Sequence, residues 1–246
     1  MDTTLAVACL INGHERSVAK SERLGAERAV IAIITALYHD SGYMRHENDH
    51  LHFNGAEYTS VHVSRSADFL KHYLHEIHLD KYTQIATSMV YYTGYEIAIE
   101  DIHLPDEKWH LIGRLLGTAD LITQLSDRCY LEKCLDRLYP ELVLGGLTVD
   151  IDEQGNEKIL YRSGENLLRK TPDFYANKVE DRLNVKFNKV YSYESAHFDG
   201  ARTYIHALDR IRHALKRSSR LMTSACFAEY HQKTMAPGIS QAWNRI

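Results

Sequence analysis

Residues 37–63 read "LYHDSGYMRHENDHLHFNGAEYTSVHV" and hold five of the fifteen histidines in the chain. The stretch follows Val30, Ile31, Ile33, Ile34 and Leu37, which surround a helix expected from about Ser21 to His39 and expected to be buried on most sides. Gly42 ends that helix and a polar loop begins. His39-Asp40 therefore falls where a buried helix stops, so both side chains can project into a cleft. Neighbouring helical residues point about 100° apart, so two of them share an ion only close to the helix end.

A second signal lies downstream in "LIGRLLGTADLITQLSD", residues 111–127. Asp120 interrupts an apolar helix expected from Asp106 to about Arg128, and burying a lone carboxylate is costly without a cation beside it. Gly117, one turn earlier, leaves out a side chain where an ion and its waters would need room. A surface carboxylate at a helix edge is the plainer alternative.

The rest of the chain frames these two points. Its 246 residues are 44% hydrophobic and 25% charged, with four prolines. Apolar spacing of three and four predominates, which predicts an all-α fold. Helices are expected over residues 2–13 (apolar face Leu5, Ala8, Cys9, Ile11), from about 54–57 onward (stripe Val63, Ala67, Leu70, Leu74, Ile77), and over 81–92, 172–187 and 194–216. A further helix runs to Leu138, where Tyr139-Pro140 should interrupt it. Alternation about Gln154-Gly155-Asn156 predicts a small β-hairpin at about 147–161. We expect one domain over 1–217 and a weakly patterned tail over 218–246.

A net charge of −4 leaves no basic footprint for nucleic acid. Cys9, Cys129, Cys134 and Cys226 show neither C-x-x-C pairing nor disulfide density, which points to reduced thiols in the cytoplasm. The apolar run Leu5–Ile11 is too short to span a bilayer and lacks the flanks of a signal peptide.

"ALYHDSGY" followed by "GTADLI" resembles the HD-domain superfamily of metal-dependent phosphohydrolases, over roughly residues 3–130. The resemblance implies an HD-like helical bundle in which His39, Asp40 and Asp120 hold a divalent metal ion (Mg²⁺, Mn²⁺, Fe or Zn²⁺) and His62 adds a ligand for a second. The substrate it implies is a small-molecule phosphomonoester or (cyclic) phosphodiester, such as a nucleotide, with no nucleic acid or membrane partner; a homodimer is allowed. In the cyclic-nucleotide phosphodiesterase branch the first ligand lies in a His-Thr/Ala-x-x-Val segment. Thr3-Thr4-Leu5-Ala6-Val7 resembles it with threonine in the histidine's place, and the branch's proton-donating histidine would precede Met1. The paired histidines of two-metal members are matched by Tyr91-Tyr92.

Other residues carry weaker expectations. His14 is a substitute for the first ligand or a residue of a polar turn. Glu57 is a general base or a first-turn glutamate favoured by the helix dipole. His46, His50 and His52 contact substrate phosphate or solvent. His72, His75 and His78 belong to a solvated helix flank. Arg162, Arg169, Lys170 and His197 bind an anion or are surface charge. The rival to the enzyme is a degenerate HD fold that binds a ligand or a protein without turnover.

Overall fold

The structure is a computed structural model and describes residues 2–152 and 154–221, with side chains to 213. It is all-α apart from one hairpin. The helices α1 (Asp2–Ser17), α2 (Ala26–Tyr38), α3 (His62–Glu76), α4 (Thr83–Met89) and α5 (Glu107–Ser126) form the first half. Then come α6 (Tyr130–Lys133), α7 (Tyr139–Leu144), the hairpin β1 (Val149–Ile151) and β2 (Glu157–Ile159), α8 (Gly164–Phe174), α9 (Glu194–His197) and α10 (Thr203–Leu221).

The central element is α5. Asp106 caps its start, accepting from the Trp109 amide at 3.0 Å, and Trp109, Ile112, Leu115, Leu116, Ala119, Ile122 and Leu125 are all buried along it. That burial wraps most of the helix, as expected of a rod surrounded by partners. One apolar cluster joins α1, α2, α4 and α5 to Tyr175, Val179, Phe187, Ile205 and Ile211. Both halves of the chain thus share a core. No described helix is long and apolar enough to cross a membrane.

The hairpin pairs Val149 with Ile159 and Ile151 with Glu157. Asp152 closes its turn by accepting from the amides of Gln154 and Asn156 at 3.0 and 2.8 Å, and Gly155 takes a φ of +83°, which costs a glycine nothing.

Several expectations are corrected. The buried face of α1 is Thr3, Ala6, Val7, Leu10, Ile11 and His14, while Leu5 is 59% exposed. The helix α2 starts at Ala26 and buries one face only, leaving Val30 and Leu37 outside. Residues 55–58 form a separate 3₁₀ turn before α3, and Ile77 lies outside the core. Pro140 does not stop its helix. A wide π turn over Cys134–Leu138 sends the Tyr139 amide to the Cys134 carbonyl, so the ring and missing N–H of the proline fall just after a register change. Pro172 is likewise followed by a π turn, Tyr175–Val179. Its helix begins eight residues earlier than expected because Ser163 caps it, accepting from the Asn166 amide at 3.2 Å. The helix expected over 194–216 is broken at Asp199 and Gly200, both with positive φ. Residues 222–246 of the expected tail, and Cys226 with them, lie outside the described residues.

Candidate functional site

The end of α2 fixes the first side chain. The His39 Nδ1 lies 2.8 Å from the Ala36 carbonyl, which can only accept, so Nδ1 carries the hydrogen. That contact turns Nε2 toward two carboxylates. It lies 3.2 Å from Asp40 Oδ2 and 3.4 Å from Asp120 Oδ1. Eighty residues of sequence separate His39 from Asp120, and the packing of α2 on α5 closes that distance. Asp120 is 6% exposed, and its Oδ1 also accepts from the Gln124 amide group at 3.0 Å, one turn along the same helix.

The electrostatics follow from the crowding. Burial lowers the affinity of His39 for a proton, but the bond and charge of Asp120 and the charge of Asp40 outweigh it, raising its pKa to about 9. Asp40 is pushed above the usual carboxylate range by desolvation first; His39 draws it down and Asp120 pushes it up. The imidazolium of His39 is thus the cation that two carboxylates gather around.

His62 opens the first turn of α3. Its Nδ1 donates to the Thr59 carbonyl at 2.7 Å and its ring stacks on Tyr43 at 4.5 Å and 21°. A clasp holds this turn against the segment after His39-Asp40. The Gly42 amide donates to Ser66 Oγ at 2.9 Å, and Arg65 donates to the carbonyls of Gly42 and Met44 at 2.7 and 2.8 Å. A Cβ on Gly42 would sit 1.9 Å from the His62 carbonyl oxygen, so only glycine lets the two segments meet.

The other expected residues fall elsewhere. Glu57 is the capping glutamate of the two alternatives: its Oε1 accepts from the amides of Phe53 and Asn54 at 2.8 and 3.0 Å, and from the Asn54 side chain at 3.1 Å. That commits Oε1 to the loop, and against the expectation of a general base the carboxylate braces the turn that leads into α3. Asp49 does the same work on the other side, accepting from His52 Nδ1 at 2.8 Å, from the amides of Leu51 and His52, and from the Tyr58 hydroxyl. His46 and His50 are exposed.

Thr3 faces α5 one turn beyond Asp120, its Oγ1 3.3 Å from Thr123 Oγ1. His14 lies eleven residues further along α1, about 16 Å away at 1.5 Å per residue. It packs edge-on against Tyr193 at 4.9 Å, so it does not replace a ligand at Thr3. The space at Gly117 is filled by the Tyr92 carbonyl and the Phe187 ring, 2.4 and 2.6 Å from a Cβ built there; it is a packing glycine, with no room for an ion. Tyr92 is a core residue whose hydroxyl meets His110 at 2.8 Å. His72 and His75 are exposed along the flank of α3; His78 is also exposed but lies past the end of the helix, with a φ of +59°, rather than on its flank. Arg162, Arg169 and Lys170 are exposed, and His197 bonds Asn12 at 3.0 Å.

Two residues near the site carried no expectation. Tyr43 follows the dyad by three positions and forms the ring on which His62 rests. Glu141, on α7, is half-buried and interacts electrically with Asp40, His62 and Tyr43. Nothing in its local sequence marks it.

The donor set is one imidazole nitrogen and carboxylate oxygens, which suits a hard or borderline divalent ion. Donors on adjacent corners of such an ion are spaced by about 3 Å, near the separations around His39 Nε2. No group of three or more His, Cys, Asp or Glu side chains among the described residues forms a metal-holding cluster as it stands. No protein-family model, curated protein or solved structure matches the chain.

Proposed function

We propose that the protein is a metal-dependent phosphohydrolase that cleaves a phosphomonoester or a (cyclic) phosphodiester, such as that of a nucleotide, with His39, Asp40 and Asp120 holding the ion. One observation carries this reading. A buried histidine, its Nδ1 anchored to backbone, directs Nε2 at two carboxylates, one from the turn that follows α2 and one from α5.

A bound divalent ion would polarise a phosphoryl oxygen and supply hydroxide near neutral pH. The chain does the rest. Ala36 fixes the His39 tautomer, so that Nε2 becomes a donor to an ion once its proton leaves. Gln124 orients the Asp120 carboxylate. His62, oriented by Thr59 and Tyr43 and held by the clasp to the segment after Asp40, would hydrogen-bond a phosphoryl oxygen or hand a proton to the departing alcohol. Exposure of Asp40 leaves that side open to substrate. Cys9, Cys129 and Cys134 are free thiols, which supports a cytoplasmic setting.

Asp120→Ala tests the assignment. It should abolish phosphatase activity and remove stoichiometric metal from the purified protein, as read by elemental analysis. Unchanged metal content and unchanged activity would reject it. A second reading, a ligand- or protein-binding module without turnover, draws on the Thr3 hydroxyl beside Thr123 and on the capping role of Glu57. Wild-type protein that purifies without metal and hydrolyses no phosphoester would favour it.

A further inference from the structure

The start of α3 is capped from a distance. Val61, the residue before the helix, carries an apolar side chain that accepts nothing, so the first amides of α3 need a partner from elsewhere. Glu96, 33 residues from Val63 in sequence, supplies it. Its Oε1 accepts from the Val63 amide at 2.8 Å and its Oε2 from the Ser64 amide at 3.1 Å. A carboxylate also suits the positive end of the helix dipole. Glu96 is exposed, so these two bonds hold the carboxylate, rather than packing around it. Its own segment is tied down. The Gly94 carbonyl accepts from the buried Arg182, and a Cβ built on Gly94 would lie 2.4 Å from Val63 Cγ2, so this backbone rests directly on the first turn of α3. His62 immediately precedes the two capped amides. Thr59 and Tyr43 set its ring from the segment that joins the dyad to α3, whereas Glu96 ties the backbone beneath that ring to a later part of the chain.

We propose that Glu96 is a positioning residue of the site, fixing through the first turn of α3 where the His62 imidazole stands. This rests on the phosphohydrolase reading above, in which His62 meets the phosphoryl group or the departing alcohol. Glu96 touches neither substrate nor ion; it acts through His62 alone. Gly94 serves the same end by letting its backbone seat against Val63, which a larger residue would push away.

The test uses the full chain with ¹⁵N-labelled histidine, the His62 ring signal being assigned by its loss in His62→Gln, and hydrolysis of p-nitrophenyl phosphate with Mn²⁺. Glu96→Ala should shift the His62 signal and lower kcat about tenfold to 100-fold, as a misplacement of about 1 Å does. KM and Mn²⁺ affinity should stay near wild type, because the lost contact is one made in the transition state. Glu96→Gln keeps one accepting oxygen and should fall between wild type and Glu96→Ala. Gly94→Ala leaves every hydrogen-bonding group in place and should still shift the His62 signal. Ser163→Ala removes a cap from α8 and should lower the urea midpoint without changing the His62 signal or kcat. A His62 signal unmoved in both Glu96→Ala and Gly94→Ala overturns the proposal and leaves the phosphohydrolase reading standing. So does an equal loss of kcat in Ser163→Ala. Wild-type protein that hydrolyses neither p-nitrophenyl phosphate nor bis(p-nitrophenyl) phosphate with Mn²⁺ present overturns both.

Discussion

At His39, the proposed metal-ligand role and the holding of a proton exclude each other, and pH decides between them. Raising its pKa from the ordinary 6.5 to about 9 means that the folded state holds a proton the unfolded chain would release. The stabilisation is fully present below about pH 6.5 and is lost as pH rises through about 9, amounting to something on the order of 3 kcal/mol. Metal-free wild-type protein should therefore show a urea midpoint that falls across that window, and His39→Gln should flatten the curve. On the proposed reading a metal would compete for the same Nε2, so its uptake should release a proton and strengthen as pH rises. The dyad and Asp120 were legible in the sequence because each breaks an apolar helical pattern at an expensive position. Gly117 misled: a missing Cβ signals close approach, and sequence does not say whether an ion or another backbone approaches.

Between elements, the clasp joining the turn after Asp40 to the start of α3 sets where His62 stands. Gly42→Ala puts a methyl 1.9 Å from the His62 carbonyl oxygen, backbone against backbone, where no rotamer change relieves it. The two segments have to part, and destabilisation of about 3 kcal/mol is expected from overpacking of this kind, measured as a shift of the urea midpoint. Activity should fall with it, because His62 leaves Asp40. Helical periodicity located most elements but not their faces. In α1 the expected apolar side, Leu5 and Ala8, turns outward, since Thr3, Val7, Leu10 and His14 follow the same spacing and α5 and Tyr193 lie on that side. The π turns before Tyr139 and after Phe174 were also out of reach, because proline predicts a break and not a widened turn that absorbs it.

For the molecule as a whole, Arg182 ties the late part of the chain to the early part. It is 6% exposed and donates to the carbonyls of Tyr92, at 3.0 Å, and Gly94. Its guanidinium lies 4.2 Å from the Tyr95 ring centroid and 5.3 Å from that of Phe187. Arg182→Ala leaves two carbonyls without their donor and opens a cavity; a loss of about 3 kcal/mol is expected, again read from the urea midpoint. Because Tyr92 also packs against Gly113 and Gly117, the damage should reach α5 and lower metal affinity without touching a ligand. The all-α class and the hairpin could be read from periodicity and turn chemistry. The shared core could not, since contacts between residues near 90 and 182 leave no trace in local spacing.

The braced loop between Met44 and Val61 also bears on how the protein meets a protease. Phe53 is 85% exposed, an inviting side chain for chymotrypsin, yet its amide is bonded to Glu57 at 2.8 Å. A protease must seat several residues in an extended form, so cleavage there waits on local opening. Intact protein should resist nicking after Phe53, whereas Glu57→Ala should be cut quickly into two fragments that mass spectrometry can assign.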